Sequence, residues 1–248
     1  MEKYIESVHD FIGQLPNREG FSSNYLYRGQ RDEDDKWELT PALFRQEKVL
    51  YGNWSNFEKA LLKTFEKYAL PFIDSIPQRK IDWMALAQHH GLPTRLLDWT
   101  ENPLVALYFA VNELDHKCNG VVWMARFGAN NYTFDDENLD KMKDTVMVYF
   151  PSVTTPRMIA QRGCFTVHKP PEGQEQYRPL EKRTIGPTFD IHTLVKFLVP
   201  GEKKRDLKLE LDKYGIDPLT VFPDLDGLCR KINWDIYRRN LFIDDPES

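Results

Sequence analysis

The sequence predicts an α+β fold in one large domain, because helical patterns cluster early in the chain and strand patterns dominate its middle. Apolar residues recur with a helical period over Tyr4–Leu15 and again after Ser55. Patterns typical of buried strands follow at Gly120–Phe127, Val146–Phe150 and Gly163–His168. With 248 residues and 41% hydrophobic content, the chain is long and apolar enough to bury a sizeable core.

Local signals place the first elements of the chain. The apolar period predicts an N-terminal helix over residues 2–15, and the aromatic stretch Asn24–Gln30 predicts a strand. The residues Ser55–Glu58 have the pattern of a capping box, so they predict the start of a second helix. A third helix, starting at residue 82 or 83, should end at Gly91, because glycine readily adopts the left-handed turn that follows a helix.

The C-terminal section, residues 190–240, is expected to hold one strand and two helices. The strand is predicted at Ile191–Val199 and the first helix at Glu202–Tyr214. The last helix should open within Phe222–Leu228. Between the central strands and this section, the polar, proline-bearing stretch Pro170–Pro187 predicts a mobile loop.

Composition excludes some classes of protein and leaves others open. A net charge of −5 argues against a general nucleic-acid coat, although it leaves open a local basic groove. The three cysteines are widely spaced and form no Cys-x-x-Cys pair, which favours a reducing compartment and predicts no disulfide framework and no structural metal site. The sequence shows no signal-peptide pattern and no long apolar run, so we expect a cytoplasmic protein without a membrane partner.

The stretch Gln88–Thr100 carries the densest group of chemically active side chains. Two histidines, an arginine, an aspartate and two threonines surround a Gly and a Pro there. A short buried strand is predicted around Arg95–Asp98, followed by a helix that Asn102 caps and that begins at Pro103. This helix is apolar nearly all round and should be buried, which would place polar side chains at the edge of a core, where pockets form.

These motifs resemble the FRG domain family, which is named for a Phe-Arg-Gly motif that reads Tyr-Arg-Gly here. The segments that carry the resemblance are Tyr27-Arg28-Gly29-Gln30, Trp37 to Arg45, Gln88 to Thr100, and Asn102-Pro103 with Ala106, Phe109 and Ala110. The resemblance implies a single FRG-type domain over residues 1–248 with its best-matching core at 24–127. It also implies a bacterial or phage protein.

A more distant resemblance is to ADP-ribosyltransferases of the Arg-Ser-Glu type. Arg28-Gly29 is similar to the first motif of that class, and Asp98–Thr100 with the helix after it is similar to the second. The third motif would fall at Arg157–Gly163, where no Glu stands and Gln161 or Arg157 occupies the region instead. This resemblance implies a small, bent, mixed β-sheet with helices packed around it, and NAD as the substrate.

Candidate site residues follow from these motifs. The candidate catalytic residues are Arg28 to hold phosphate, Thr100 to hold ribose, Gln161 as a weak substitute for the Glu, and His89 as a general base. The candidate cofactor-binding residues are Tyr27, Arg28, Gly29, His90, Arg95, Asp98 and Trp99. No metal ligand is predicted.

Each of these residues also has a purely structural interpretation. Arg28 would then pair with Asp98 or Glu101, and Arg95 would pair with Asp98. The hydroxyl of Thr100 would form a hydrogen bond with nearby backbone groups, and the histidines would interact favourably with the dipole at the C-terminus of their helix. The aromatic rings would pack in the core. The basic groups Lys203–Arg205 and Arg230–Arg239 are interpreted as solvated helix faces.

Three functions are consistent with the sequence. The first hypothesis is an NAD-binding protein that transfers ADP-ribose to a macromolecule or hydrolyses NAD, in a toxin or phage-defence role. The alternative is a non-catalytic module that binds a nucleotide or nucleic acid through the same pocket. A further alternative is a metal-dependent nuclease or hydrolase that uses His89, His90 and Asp98, although adjacent histidines on a helix diverge.

Overall fold

A computed structural model describes residues 2–16, 25–34, 38–46, 52–114, 118–132, 139, 142, 145–152, 155–172 and 175–243, with the side chains of 241–243 left out. These residues form the predicted α+β fold, with seven strands in one open mixed sheet and eight α-helices. The strands are β1 (Glu2–Tyr4), β2 (Tyr25–Gln30), β3 (Leu96–Thr100), β4 (Gly120–Phe127), β5 (Val146–Tyr149), β6 (Gly163–His168) and β7 (Ile191–Val199). The helices are α1 (Val8–Gln14), α2 (Trp54–Ala69), α3 (Lys80–His89), α4 (Pro103–Val111), α5 (Pro156–Ala160), α6 (Lys204–Lys213), α7 (Pro218–Val221) and α8 (Leu225–Ile243).

The strand order in the sheet is β1-β7-β4-β2-β3-β6-β5. Only β1 and β7 run parallel among the described pairs, and the other neighbours are antiparallel. In the middle of the sheet, β2 and β3 share one described ladder pair, Tyr27 with Thr100. The sheet therefore consists of two halves, β1-β7-β4-β2 and β3-β6-β5, which separate on one side of that pair.

Helix α4 packs tightly on the first half of the sheet because two glycines admit its backbone. A Cβ on Gly29 of β2 would lie 1.8 Å from the carbonyl oxygen of Ala106, and a Cβ on Gly120 of β4 would lie 2.4 Å from that of Ala110. Both distances are too short for any side chain. The apolar cluster between α4 and the sheet includes Tyr27, and α1 and α6 complete it.

The predicted N-terminal helix over residues 2–15 is wrong in its first part. Residues 2–4 form the edge strand β1, paired with β7, and the helix begins only at Val8. Ser7 caps it, with its hydroxyl accepting a hydrogen bond from the Asp10 backbone N–H at 3.0 Å. A helical period cannot reveal that a partner strand nearly 200 residues away offers backbone hydrogen bonds to the first residues.

The predicted capping box at Ser55–Glu58 is also wrong. Helix α2 begins at Trp54, and the side chain of Asn53 caps it by accepting a hydrogen bond from the Asn56 N–H at 2.8 Å. The carboxylate of Glu58 is therefore not used at the helix start. It turns into the core instead, where it meets Arg95.

Other local predictions are confirmed. The side chain of Asn102 caps α4 by accepting from the Leu104 N–H at 3.0 Å, and Pro103 is the first helical residue. Gly91 follows α3 with a φ of +89°.

The stretch Pro170–Pro187, predicted as a mobile loop, is anchored to the core at Leu180. This residue is buried, and its N–H donates to the carbonyl of Leu39 at 3.2 Å. No helix in the described part of the chain has the length and apolar character needed to span a membrane.

Candidate functional site

A pocket of about 340 Å³ opens where β2 and β3 separate. This volume lies in the range of small-molecule sites. Its lining combines Tyr27, Arg28 and Gly29 of β2, Gln88 and His89 of α3, Asp98, Trp99 and Thr100 of β3, Phe109 of α4, and Arg157 and Gln161 at α5. The structure thus brings to one cavity all four residues predicted as catalytic, although they come from three separate parts of the sequence.

Arg28 occupies the point where the strands diverge. Its Nη1 donates to the carbonyl oxygen of Asp98 at 2.8 Å and lies 3.6 Å from the Asp98 carboxylate. Its Nε is buried and has no hydrogen-bond partner. Burial lowers the pKa of Arg28, and Asp98 opposes that effect. A buried guanidinium with an unused donor beside a cavity is suited to an anionic ligand.

Among the described residues that line the pocket, Asp98 is the only carboxylate. Its side chain is 59% exposed, compared with 16% for Arg28, so the carboxylate faces solvent while the guanidinium is largely covered. Arg28 and Arg157 supply two positive charges against this one negative charge. The pocket therefore favours a ligand that carries negative charge.

His89 is the titratable group best suited to accept a proton here. Burial lowers its pKa, His90 and Arg157 lower it further, and Asp98 and Asp224 oppose them. The imidazole is therefore neutral at pH 7. The ring of His90 lies 5.0 Å from that of His89 at 88° and is not part of the lining, so the predicted ligand role of His90 has no support from the geometry.

The polar groups of Thr100 and Gln161 already have partners in the protein. The Thr100 hydroxyl donates to the carbonyl oxygen of Gln161 at 2.6 Å and accepts from the Asn102 N–H at 3.0 Å. The Gln161 amide donates to the carbonyl oxygen of Val221 at 3.2 Å. Both residues line the pocket. To bind ribose and to substitute for the Glu, as predicted, Thr100 and Gln161 would have to form hydrogen bonds with the ligand in competition with these bonds inside the protein.

The aromatic residues of the lining belong mainly to the core. Tyr27 and Trp99 are each 3% exposed, and the Trp99 indole N–H donates to the hydroxyl of Thr166 at 2.9 Å. Neither ring offers an open face on which a base or nicotinamide would stack. Gly29 is required by the close approach of α4, which accounts for this glycine without a ligand.

The predicted ligand-binding role of Arg95 has no support from the geometry. Arg95 is 1% exposed and lies outside the pocket lining. Its Nε donates to the carboxylate of Glu58 at 2.7 Å, and its backbone N–H donates to the same carboxylate at 3.1 Å. The structural interpretation was right about an ion pair but named the wrong partner, because Asp98 points to the pocket and Glu58 lies in the core.

Sequence reasoning gave no ligand-binding role to three groups near the pocket. Phe109 was assigned only to the buried helix, and Arg157 was named only as a residue in place of the Glu. Arg230 was assigned to a solvated face, yet its guanidinium lies over Phe222, a ring that Arg157 also covers. No local pattern identifies such contacts, because the partners lie on separate elements.

The structure gives no support to the metal-dependent alternative. The described residues hold no group of three or more His, Cys, Asp or Glu side chains that could bind a metal ion. Of the three residues named for that function, only His89 and Asp98 reach the pocket.

Comparisons with known proteins give one finding. Residues 23–118 match the family model of the FRG domain, whereas no curated protein and no solved structure gives a match. The matched range holds every lining residue of the pocket except Arg157 and Gln161. Residues 23–118 are therefore similar to the FRG domain, and this segment supplies most of the described pocket lining.

Proposed function

We propose that the pocket binds a nucleotide-type small molecule, with NAD as the leading candidate, and that the protein transfers ADP-ribose to a macromolecule or to water. The observation that carries this proposal is the pairing of a largely buried arginine with one exposed carboxylate in a cavity between two strands. Arg28 lines the pocket, and its guanidinium would bind a phosphate oxygen. Asp98 lies 3.6 Å from it, and no other carboxylate lines the pocket among the residues that the structure describes.

The proposed chemistry assigns Asp98 the part that Gln161 was expected to play. When the bond between the nicotinamide nitrogen and the ribose carbon breaks, the electron pair leaves with nicotinamide and positive charge develops on the ribose. A carboxylate stabilises such charge, whereas an uncharged amide does so weakly. The acceptor oxygen then bonds to the ribose carbon, and its proton passes to the neutral imidazole of His89.

Three titrations with the full chain test the proposal. Binding of NAD would be measured by calorimetry and nicotinamide release by chromatography, in the wild-type protein and in Asp98→Asn and Arg28→Gln. We expect Asp98→Asn to bind NAD within a few-fold of wild type while nicotinamide release falls by about 100-fold. We expect Arg28→Gln to weaken binding by about tenfold or more, since it loses a charge-assisted contact. The exposed residue Asp74 supplies the matched control, and Asp74→Asn should change neither quantity.

A wild-type protein that neither binds NAD nor releases nicotinamide would refute the proposal. The same conclusion would follow if Asp98→Asn kept full turnover. Thermal unfolding of each variant would show that a lost activity does not come from a lost fold.

The alternative is a binding module without turnover, and one observation favours it. The Thr100 hydroxyl and the Gln161 amide each donate to a backbone carbonyl, so two residues of the predicted catalytic set each have one donor already engaged. NAD binding that depends on Arg28, without any nicotinamide release, is the result that this alternative predicts. The two functions therefore differ in one measurement on the same samples.

A further inference from the structure

Two guanidinium groups each lie against the same phenylalanine ring beside the pocket. The Cζ of Arg157 lies 4.4 Å from the ring centroid of Phe222, and the Cζ of Arg230 lies 4.7 Å from it. The ring is 4% exposed, so it has no free face for a base. Such contacts orient each arginine and stabilise its position by about 0.5–1 kcal/mol.

Neither guanidinium has a direct ion-pair partner among the described residues. The side chains of Arg157 and Arg230 form no hydrogen bond and no ion pair with those residues, and their close contacts are with the Phe222 ring. Burial lowers the pKa of Arg157 and Arg230 lowers it further, whereas the more distant carboxylates of Asp224, Asp98 and Asp226 raise it. The positive charges therefore repel one another. Like charges held together, each with five N–H donors to satisfy, are the arrangement that an anion stabilises.

The ring that organises the pair is held firmly. A Cβ on Gly227 would lie 1.7 Å from the carbonyl oxygen of Phe222, so the start of α8 presses directly on the Phe222 backbone. Phe109 packs its ring edge-on against Phe222 with centroids 5.9 Å apart. The stretch Phe222–Leu228, in which the last helix was predicted to open, thus places the ring between Arg157 of α5 and Arg230 of α8.

This arginine pair is continuous with the pocket. Arg157 lines the cavity, and so does Gln161, whose amide donates to Val221, the residue before Phe222. The pair therefore lies at the α5 side of the cavity that Arg28 enters from β2. A ligand inside the cavity would have positive charge on two sides.

We infer that Arg157 and Arg230 form a second anion subsite at the rim of the pocket, and that the natural ligand is a small molecule with a pyrophosphate group. Two cations require about two negative charges, which a pyrophosphate supplies and a single carboxylate does not. This inference deepens the proposed function and rests on it for the identity of the rest of the ligand. The subsite itself depends only on binding of the anionic group, whatever the rest of the ligand is.

Calorimetry with sodium pyrophosphate, ADP and adenosine as probes tests the inference on the full chain. We expect Arg157→Gln and Arg230→Gln each to weaken pyrophosphate and ADP binding by about tenfold, because each removes a charge-assisted contact. Arg239→Gln is the matched control, since Arg239 lies exposed on the same helix as Arg230 and makes no contact with Phe222. It should stay within about twofold of wild type, because it removes only a screened distant charge. Adenosine, which lacks phosphate, should not distinguish the variants from wild type.

Several outcomes would overturn the inference. Equal affinity for pyrophosphate in wild type, Arg157→Gln and Arg230→Gln would overturn it. A loss of affinity in Arg239→Gln as large as in the two test variants would also overturn it, because it would show non-specific charge attraction. Binding of a single-stranded oligonucleotide through Arg157 and Arg230, without binding of pyrophosphate, would exclude the small-molecule ligand.

The result with NAD separates this inference from the proposed function. If NAD is turned over and the Arg157 and Arg230 variants bind it as wild type does, the second subsite fails and the proposed function stands. If NAD neither binds nor reacts while pyrophosphate binding depends on both arginines, the proposed function fails and the subsite stands.

Discussion

The buried ion pair between Arg95 and Glu58 joins the start of β3 to helix α2. Both side chains are nearly inaccessible, at 1% and 0% exposure. In the variant Arg95→Met the carboxylate keeps only the backbone N–H of residue 95 and loses the guanidinium, whose Nε lies at 2.7 Å. Leaving a buried charge without its partner destabilises a protein by about 3–5 kcal/mol. Since single domains are stable by about 5–15 kcal/mol, this variant should lose a large part of its free energy of unfolding.

Urea denaturation followed by tryptophan fluorescence measures this loss. The double variant Glu58→Leu with Arg95→Met removes both charges, and we expect it to recover most of the stability, because the remaining core is apolar. Lys59→Met is the control, as Lys59 is the exposed neighbour of Glu58, and it should change stability by less than about 0.5 kcal/mol. A loss below about 1 kcal/mol in Arg95→Met, or a double variant no more stable than the single one, would refute the reasoning. Folded Arg95→Met should bind the pocket ligand as wild type does, because Arg95 lies outside the lining.

Three further predictions concern the elements around the site. Gly29→Ala should destabilise the protein by about 3 kcal/mol or more, measured by urea denaturation, because its Cβ would lie 1.8 Å from the Ala106 carbonyl oxygen. Asn102→Ala should lower the midpoint of thermal unfolding through a loss of about 1 kcal/mol, because the Leu104 N–H loses its cap. Burial holds the pKa of His168 well below 6.5, so below that pH the unfolded chain takes up a proton that the native protein does not. Stability should therefore be full above pH 6.5 and fall by about 1.4 kcal/mol per pH unit below it, and His168→Gln should flatten this slope.

Matched controls accompany these three variants. Gly13→Ala adds a Cβ that meets no atom within 4 Å, so it should not destabilise helix α1. Asn233→Ala removes an exposed asparagine from the interior of α8 and should leave the thermal midpoint nearly unchanged. His9→Gln removes an exposed histidine and should keep the wild-type dependence of stability on pH. A control that behaves like its test variant would contradict the physical reason given for that variant.

Predictions from sequence succeeded where the determining interactions are local. The cap at Asn102, the positive φ at Gly91 and the strand at Tyr25–Gln30 depend on residues within a few positions of one another. They failed where a distant group offered a better partner. Residues 2–4 form a strand because β7 lies beside them. The carboxylate of Glu58 does not bond the start of α2, because it pairs with the guanidinium of Arg95 in the core.

In the candidate site, too, the features set by local sequence were predicted and those set by long-range contacts were not. Arg28, His89, Asp98 and Thr100 were selected because several polar side chains stood at predicted element ends, and all four line one pocket. The grouping of Arg157 and Arg230 around Phe222 had no local signal. Nor could the sequence show that the Thr100 hydroxyl and the Gln161 amide each already donate to a backbone carbonyl, since that depends on which carbonyl groups the fold brings within 3.2 Å.

The sequence by itself determined the class of fold, the ends of the central helices and strands, and the FRG motifs at residues 23–118, because propensity, capping and periodicity act over a few residues. Only the tertiary structure decided that β2 and β3 separate beyond Tyr27 and Thr100 and that Arg28 and Asp98 meet in the opening. Those features depend on close packing and on ion pairs between segments far apart in the chain. Examples are the approach of α4 to Gly29 and the buried pair of Glu58 with Arg95.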